Sequence, residues 1–196
     1  MTIKEIISNI FRGLNLNVRI DYPRPSTRFI KNKFGDKKLI GLEIGTFEGI
    51  NAESILKTLD IEKIYLIDPY EKYIDMVNKE ENILWEKEVM IKVKDKCMKR
   101  LKNYIKDEKV EFIFDSSKNA INNIKDDSLD FVYIDGNHNY EFVIFEMENY
   151  WEKLKKGGVL SGHDITHYGV SKSIIEFCSK RNLIPKFERE DWIIEK

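Results

Sequence analysis

Residues 39–56 carry the sequence LIGLEIGTFEGINAESIL, an apolar run followed by a turn with two glycines and then an amphipathic segment. The pattern predicts a buried strand, a tight turn at Gly45 and Gly49, and a helix that begins near Asn51. At the end of a parallel strand, such a turn lets a ligand approach the backbone, and the helix N-terminus offers unpaired N–H groups. The alternative is a tight turn without a ligand.

A carboxylate at the end of the next apolar run favours a nucleoside ligand. The run KIYLID ends in Asp68, about twenty residues after the turn, where a carboxylate commonly binds ribose hydroxyls. The turn has neither the GKS or GKT ending of a phosphate-binding loop nor the G-x-G-x-x-G pattern. Glu43, just before the turn, would repel a pyrophosphate but suits a ligand with an ammonium group and a sulfonium centre.

After residue 38, short apolar runs alternate with longer helical patterns, which is typical of βαβ units. We predict an α/β fold, Rossmann-like and doubly wound, with a mostly parallel seven-stranded sheet. A C-terminal antiparallel hairpin is predicted from the segments LIPKFERE (183–190) and DWIIEK (191–196). The predicted parallel strands are 39–44, 64–67, 111–114, 131–134 and 159–162, and the predicted helices are 51–59, 75–106, 118–124, 140–154 and 170–181.

The first 37 residues precede this alternation. Apolar residues recur at helical spacing over 3–11 and predict an N-terminal helical extension. The proline pair and the lack of periodicity over 15–35 predict an irregular strap, where we expect substrate contacts. We therefore divide the chain into an N-terminal helix and strap, 1–37, and a ligand-binding domain, 38–196, within one structural domain.

The composition indicates a packed globular protein with a nearly neutral surface. The 196 residues are 42% hydrophobic and 34% charged, with a formal net charge of −1. Nucleic acid is not an expected partner, and the basic stretch 87–109 is interpreted as a solvated helix face. No leader pattern or bilayer-length apolar run is visible, so we expect a cytoplasmic protein without a membrane partner. Cys97 and Cys178 are interpreted as free thiols.

The E-x-G-x-x-x-G pattern of Glu43, Gly45 and Gly49 resembles the first cofactor motif of class I S-adenosylmethionine-dependent methyltransferases. The resemblance extends over most of the chain after residue 38. It implies that S-adenosyl-L-methionine binds at this turn, including Thr46 and Phe47.

The same resemblance assigns the nucleoside end of the cofactor. It implies that Asp68 holds the ribose and that Asp115, with Ser116 beside it, meets the adenine amino group. The residues alone also explain Asp115 as a helix cap, since Asp and Ser are favoured before a helix. Capping and ligand contact are compatible.

A second polar cluster follows the fourth and fifth predicted strands. IDGNH places Asp135 and His138 after one strand, and SGHDITH places His163, Asp164 and His167 after the other. Because neighbouring parallel strands end at the same sheet edge, we expect these residues to share the ligand cleft.

These two segments resemble the branch of class I methyltransferases that includes metal-dependent sugar O-methyltransferases and cephalosporin-hydroxylase-like proteins. The resemblance implies that Asp135 and Asp164 bind a divalent ion, with His163 where relatives often carry another carboxylate. That difference leaves the need for a metal open. Two carboxylates and an imidazole suit Mn²⁺ at least as well as Mg²⁺.

The expected chemistry is methyl transfer to a hydroxyl of a sugar or another small acceptor. Asp135 is assigned to catalysis and cofactor binding as well as to the metal, and His138 is the predicted general base, with His167 in reserve. Tyr140 and His167 are the predicted substrate residues, and Tyr140 is expected either to pack or to line the acceptor pocket. For His138 the alternative is a loop histidine that caps the following helix.

Other functions stay open from the sequence. They are an NAD-dependent oxidoreductase, a nucleoside-binding protein without turnover, and a related hydroxylase. The missing third glycine argues against the oxidoreductase. The expected partner is a small-molecule or glycan acceptor, and a homodimer is an open alternative to a monomer.

Overall fold

The computed structural model describes residues 23–77 and 80–196, and it describes side chains outside residues 73–84. The predicted helix over 3–11 and the first part of the predicted strap lie outside the described residues. The strands of the described chain are β1 (Leu39–Ile44), β2 (Ile61–Ile67), β3 (Tyr73–Val77), β4 (Glu80–Trp85), β5 (Val110–Ile113), β6 (Leu129–Ile134), β7 (Leu154–Gly162), β8 (Lys186–Glu188) and β9 (Asp191–Glu195).

Helices connect most of these strands. They are α1 (Pro25–Phe34), α2 (Ile50–Thr58), α3 (Lys87–Lys106), α4 (Ser117–Ala120), α5 (Tyr140–Lys153) and α6 (Tyr168–Arg181), and a 3₁₀ turn, Ile121–Asn123, follows α4. Within residues 23–77 and 80–196, every helix is too short or too polar to cross a membrane.

One seven-stranded sheet organises the molecule, with the strand order β5-β2-β1-β6-β7-β9-β8. The first five strands of that order pair in parallel, whereas β9 runs antiparallel to β7 and β8 antiparallel to β9. Every residue of β6 is buried, as expected for a central strand covered by helices on both faces. The predicted Rossmann-like fold with its C-terminal antiparallel hairpin is confirmed.

The prediction of an irregular strap is wrong for its second half, where the chain forms α1. Pro25 occupies the first turn of this helix, where a backbone N–H has no intrahelical partner to lose. Ser26 anchors the helix to β9, since its N–H and its hydroxyl donate to Oδ2 of Asp191 at 3.0 and 2.7 Å. The proline pair therefore marks the start of a helix.

The prediction of one helix over 75–106 is also wrong at its beginning. Residues 73–77 and 80–85 pair as an antiparallel ribbon, with Ile74 opposite Ile83, and α3 begins only at Lys87. The β-branched and aromatic residues Tyr73, Ile74 and Trp85 favour strands. Charged residues stand between these strand-favouring residues, and this mixed pattern is also compatible with a helix.

Candidate active site

The glycine turn after β1 is pressed against the end of β6. Gly45 has φ +85°, and its N–H donates to the carbonyl of Ile67 at 2.9 Å. A Cβ at Gly45 would lie 2.0 Å from the carbonyl oxygen of Asp135. Gly49, with φ +74°, starts α2. Only glycine fits the close approach at Gly45, which joins the turn to the strand end that carries Asp135.

Asp68, at the end of β2, holds the outer side of this turn. Its two carboxylate oxygens accept hydrogen bonds from the N–H groups of Phe47 and Tyr70, at 2.8 and 2.9 Å. Burial raises the pKa of Asp68, against the lowering effect of these two bonds. Each oxygen keeps a lone pair for a further donor, so the predicted ribose contact is compatible with this bonding.

Glu43 lies beneath the turn, outside the lining of the cavity. Its Oε1 accepts a hydrogen bond from Nδ2 of Asn51 at 2.8 Å, and burial raises its pKa to about 8. The carboxyl group is therefore mostly neutral at pH 7 in the absence of a ligand, which weakens the charge argument drawn from the sequence. Asn51, which does line the cavity, is a residue that the sequence interpretation missed.

A cavity of about 990 Å³ opens above the ends of β1, β2, β5 and β6. The predicted cofactor residues that line it are Gly45, Thr46, Phe47, Asp68, Asp115, Ser116 and Asp135; Glu43 and Gly49 lie behind this lining. Exposed aromatic side chains border it at Phe47, Trp85, Phe114 and Phe142. The cavity thus combines polar strand ends with apolar rims, as small-molecule sites commonly do.

The start of α4 forms one wall of the cavity. Oδ1 of Asp115 accepts hydrogen bonds from the N–H of Ser116 at 2.7 Å and from Nδ2 of Asn119 at 2.9 Å. The Ser116 hydroxyl accepts from the N–H of Asn119 at 3.3 Å. Ser116 therefore caps α4, whereas Asp115 bonds the N–H of Ser116 and the side chain of Asn119. Both residues also line the cavity, so this geometry leaves them open to a ligand contact.

Asp164 lies between two histidines at the ends of β6 and β7. Its Oδ2 is 2.9 Å from Nε2 of His138, and its Oδ1 is 3.0 Å from Nδ1 of His163. Oδ1 of Asp135 lies 3.9 Å from His138 Nε2 and 4.0 Å from His163 Nδ1. These strand-end residues therefore meet, but of the five predicted to share the ligand cleft only Asp135 and His138 line the cavity.

The predicted metal residues also converge. Ligand atoms of Asp135, His163 and Asp164 all lie within 4.8 Å of one another, and the same holds for His138, Asp164 and His167. Two carboxylates and an imidazole form a donor set that fits a divalent transition ion.

The ion pairs shift the titration of this cluster. Burial opposes a charge on His138, but the nearby carboxylates of Asp135 and Asp164 outweigh burial and raise its pKa to about 9. The pKa of His163 is also raised, mainly by Asp164 acting against burial. Hydrogen bonds from the two imidazoles hold the pKa of Asp164 far below its usual value. His138 is therefore mostly an imidazolium at pH 7. It must lose this proton before it can act as a general base.

Arg24, just before α1, reaches the same cluster. Its Nη2 lies 3.2 Å from Oδ2 of Asp135, and its Nη1 lies 3.8 Å from Oδ1 of Asp191. The guanidinium stands 5.6 Å from the ring centre of Tyr133 and lines the cavity. The sequence interpretation expected substrate contacts in this segment without naming the residue.

The two predicted substrate residues lie beside the cavity, outside its lining. The Tyr140 hydroxyl donates to Oε2 of Glu176 at 2.6 Å, and Lys172 Nζ lies 3.9 Å from the centre of its ring. His167 is exposed, and its ring centre is 4.7 Å from that of His138. Tyr140 thus packs between α5 and α6, whereas His167 stays within reach of the cluster.

The sequence matches the family model described as "Methyltransferase domain" over residues 42–165, which include the glycine turn and the polar cluster. The chain belongs to this methyltransferase family. An uncharacterized protein of Acanthamoeba polyphaga mimivirus is 28% identical over 151 residues, which make up 77% of this chain and 62% of that protein. This methyltransferase-family chain therefore spans less than two thirds of that relative.

Solved structures share the fold at low sequence identity. The O-methyltransferase NovP matches with a TM-score of 0.63 and 16% identity, over 87% of this chain and 78% of that chain. An O-methyltransferase from Bacillus cereus in complex with SAH matches with a TM-score of 0.60 and 13% identity, over 97% and 88%. The O-methyltransferase TomG from Streptomyces achromogenes, in complex with SAM, has a TM-score of 0.60 and 12% identity, over 97% and 87%.

Proposed function

We propose that the protein is a methyltransferase that uses S-adenosylmethionine to methylate a hydroxyl group of a small acceptor, with a carbohydrate hydroxyl as the first choice. The family match supports methyl transfer. Structural neighbours described as O-methyltransferases, among them complexes with SAH and SAM, support the cofactor and the acceptor atom.

The observation that carries the proposal is the cavity that joins the glycine turn to the Asp135 end of β6. Gly45 and Thr46 would hold the amino-acid part of the cofactor, and Asp68 the ribose. The glycine turn and Asp68 line the same cavity as His138, which lies beside Asp164. Cofactor and acceptor would thereby be held as neighbours, and such positioning supplies a large share of the acceleration of a bimolecular transfer.

The proposed reaction leaves one proton to be removed. The methyl group of bound S-adenosylmethionine would bond to the acceptor oxygen as the bond between methyl and sulfur breaks, and the electron pair of that bond would return to sulfur. His138 takes the hydroxyl proton, and Asp164, whose Oδ2 faces Nε2 of the ring, stabilises the resulting imidazolium. With a pKa of about 9, only about 1% of His138 is neutral at pH 7. Turnover should therefore rise with pH up to about 9.

A divalent ion is the second part of the proposal. Asp135, His163 and Asp164 would hold it, and it would lower the pKa of a bound acceptor hydroxyl. Arg24 occupies Oδ2 of Asp135, so Oδ1 is the oxygen left for the ion. Full activity after exhaustive chelation would remove the ion from the proposal.

The binding test is calorimetry with S-adenosylhomocysteine and, in parallel, NADH. Asp68→Asn keeps the shape of the side chain but removes its charge, so we expect S-adenosylhomocysteine to bind about tenfold to a hundredfold more weakly. Glu71→Gln, at the exposed edge of the same cavity, is the matched control. Binding of NADH without S-adenosylhomocysteine would favour the oxidoreductase.

The transfer test uses a labelled methyl donor with sugars, phenols and glycans, and mass spectrometry of the products. Methylated product is expected from at least one hydroxyl acceptor. Binding without any transfer would favour the nucleoside-binding alternative, and an oxygenated product would favour the hydroxylase. We propose that the enzyme acts in the cytoplasm on a small-molecule or glycan acceptor, without nucleic acid or membrane as a partner. Light scattering would test the homodimer.

A further inference from the structure

Glu146 is a buried carboxyl group that the proposed reaction does not use. It lies on α5 with 2% of its surface exposed, yet it belongs to the lining of the cavity. Its Oε1 accepts a hydrogen bond from the Ser117 hydroxyl at 2.7 Å, whereas its Oε2 has no hydrogen-bond partner among the described residues. Leaving a buried acceptor unpaired is costly, so this oxygen is suited to a donor carried by a ligand.

The surroundings of Glu146 explain why a ligand can meet it. Gly136 lies above it without a side chain, and a Cβ there would stand 4.0 Å from Oε1. Burial raises the pKa of Glu146 to about 7, against lowering contributions from Ser117 and His138. A donated hydrogen bond from a ligand would stabilise the charged form and lower this pKa.

The position of Glu146 indicates which part of the ligand meets it, given the proposed function. Asp68 marks the ribose at the end of β2, and the next strand outward is β5, which leads into α4. A base attached to that ribose can extend toward α4, where Ser117 fixes Glu146. An adenine carries an exocyclic amino group, which is a donor, whereas hypoxanthine carries a carbonyl oxygen at the same place.

We infer that Oε2 of Glu146 accepts a hydrogen bond from the exocyclic amino group of the cofactor's adenine, and that this contact makes the cavity selective for an amino-bearing base. The inference rests on the proposed function. Asp115 differs from Glu146 in two respects: it is exposed, and its Oδ1 is already shared between Ser116 and Asn119. Asp115 is thus a rim contact, and the buried carboxyl group supplies the discrimination.

Calorimetry of the full chain with S-adenosylhomocysteine and S-inosylhomocysteine tests this inference. The wild type should prefer the adenosyl ligand by about tenfold to a hundredfold, because the inosyl ligand leaves Oε2 facing a carbonyl oxygen. Glu146→Gln turns an amide N–H₂ toward the ligand when the amide oxygen keeps the Ser117 bond. The preference should fall below about threefold or reverse.

Matched controls separate this contact from general effects. Glu152→Gln, exposed on the same helix, should keep the wild-type preference, whereas Asp115→Asn, at the rim, should reduce the preference less than Glu146→Gln does. A Glu146→Gln protein that keeps the full preference would overturn the inference. So would loss of the preference in Asp115→Asn alone.

If Glu146→Gln does not fold, the ligand preference of the wild type still tests the inference. Equal affinity for the two ligands would overturn the inference and leave the proposed function standing. Binding of neither ligand would overturn both.

Discussion

Replacing Gly45 with alanine should damage the site through the backbone. The φ of +85° costs an L-residue about 1–2 kcal/mol. The new Cβ would also lie 2.0 Å from the Asp135 carbonyl oxygen and 2.7 Å from the Cα of Gly136. These are backbone atoms that no rotamer change can move, so overpacking adds about 1–3 kcal/mol. Gly45→Ala should therefore lose about 2–5 kcal/mol of unfolding free energy.

Gly157→Ala is the matched control for this variant. Gly157 has φ +79°, but a Cβ there meets nothing within 4 Å, so only the conformational cost of about 1–2 kcal/mol applies. The difference in unfolding free energy between the two variants, measured by urea denaturation, gives the cost of the steric overlap at Gly45. Calorimetry with S-adenosylhomocysteine should show weaker binding in Gly45→Ala alone. If the two variants were equally destabilised and bound the ligand equally well, the close approach of the turn to β6 would not matter.

Three further predictions concern the polar cluster. Asp164→Asn removes the charge that stabilises the imidazolium of His138, so NMR titration should show the pKa of His138 falling from about 9 toward 6.5. An unchanged pKa would contradict the pairing of His138 with Asp164. Arg24→Gln frees Oδ2 of Asp135, so Mn²⁺ should bind more tightly by calorimetry, and equal affinity would argue against that ion site. His138→Ala should lower turnover by about a hundredfold to ten-thousandfold with S-adenosylhomocysteine affinity nearly unchanged, whereas lost affinity with normal turnover would indicate a structural role.

The sequence predicted the sheet well because its central strands are buried on both faces. β1 and β6 are short apolar runs between turns, and such runs indicate buried parallel strands with little competition from other structures. Prediction failed at α1 and at the β3–β4 ribbon. Both lie away from the central strands, where proline and charge are compatible with more than one local structure.

The chemical groups that stand at the strand ends are visible in the sequence. Asp68, Asp135 and Asp164 each close an apolar run, so their placement at one edge of the sheet followed from the alternation of strands and helices. The glycines of the turn were likewise visible as a pattern, because only glycine readily adopts a positive φ.

The pairing of these groups depends on the three-dimensional fold. Arg24 meets Asp135 across more than a hundred residues of chain, and Asp164 divides its two oxygens between His138 and His163. Glu146 looked like an ordinary helix residue in the sequence, yet packing against Ser117 leaves one of its oxygens unpaired in the cavity. Such pairings depend on strand order, helix packing and side-chain rotamers, and the resulting burial sets their pKa values. Local sequence patterns encode none of these distances.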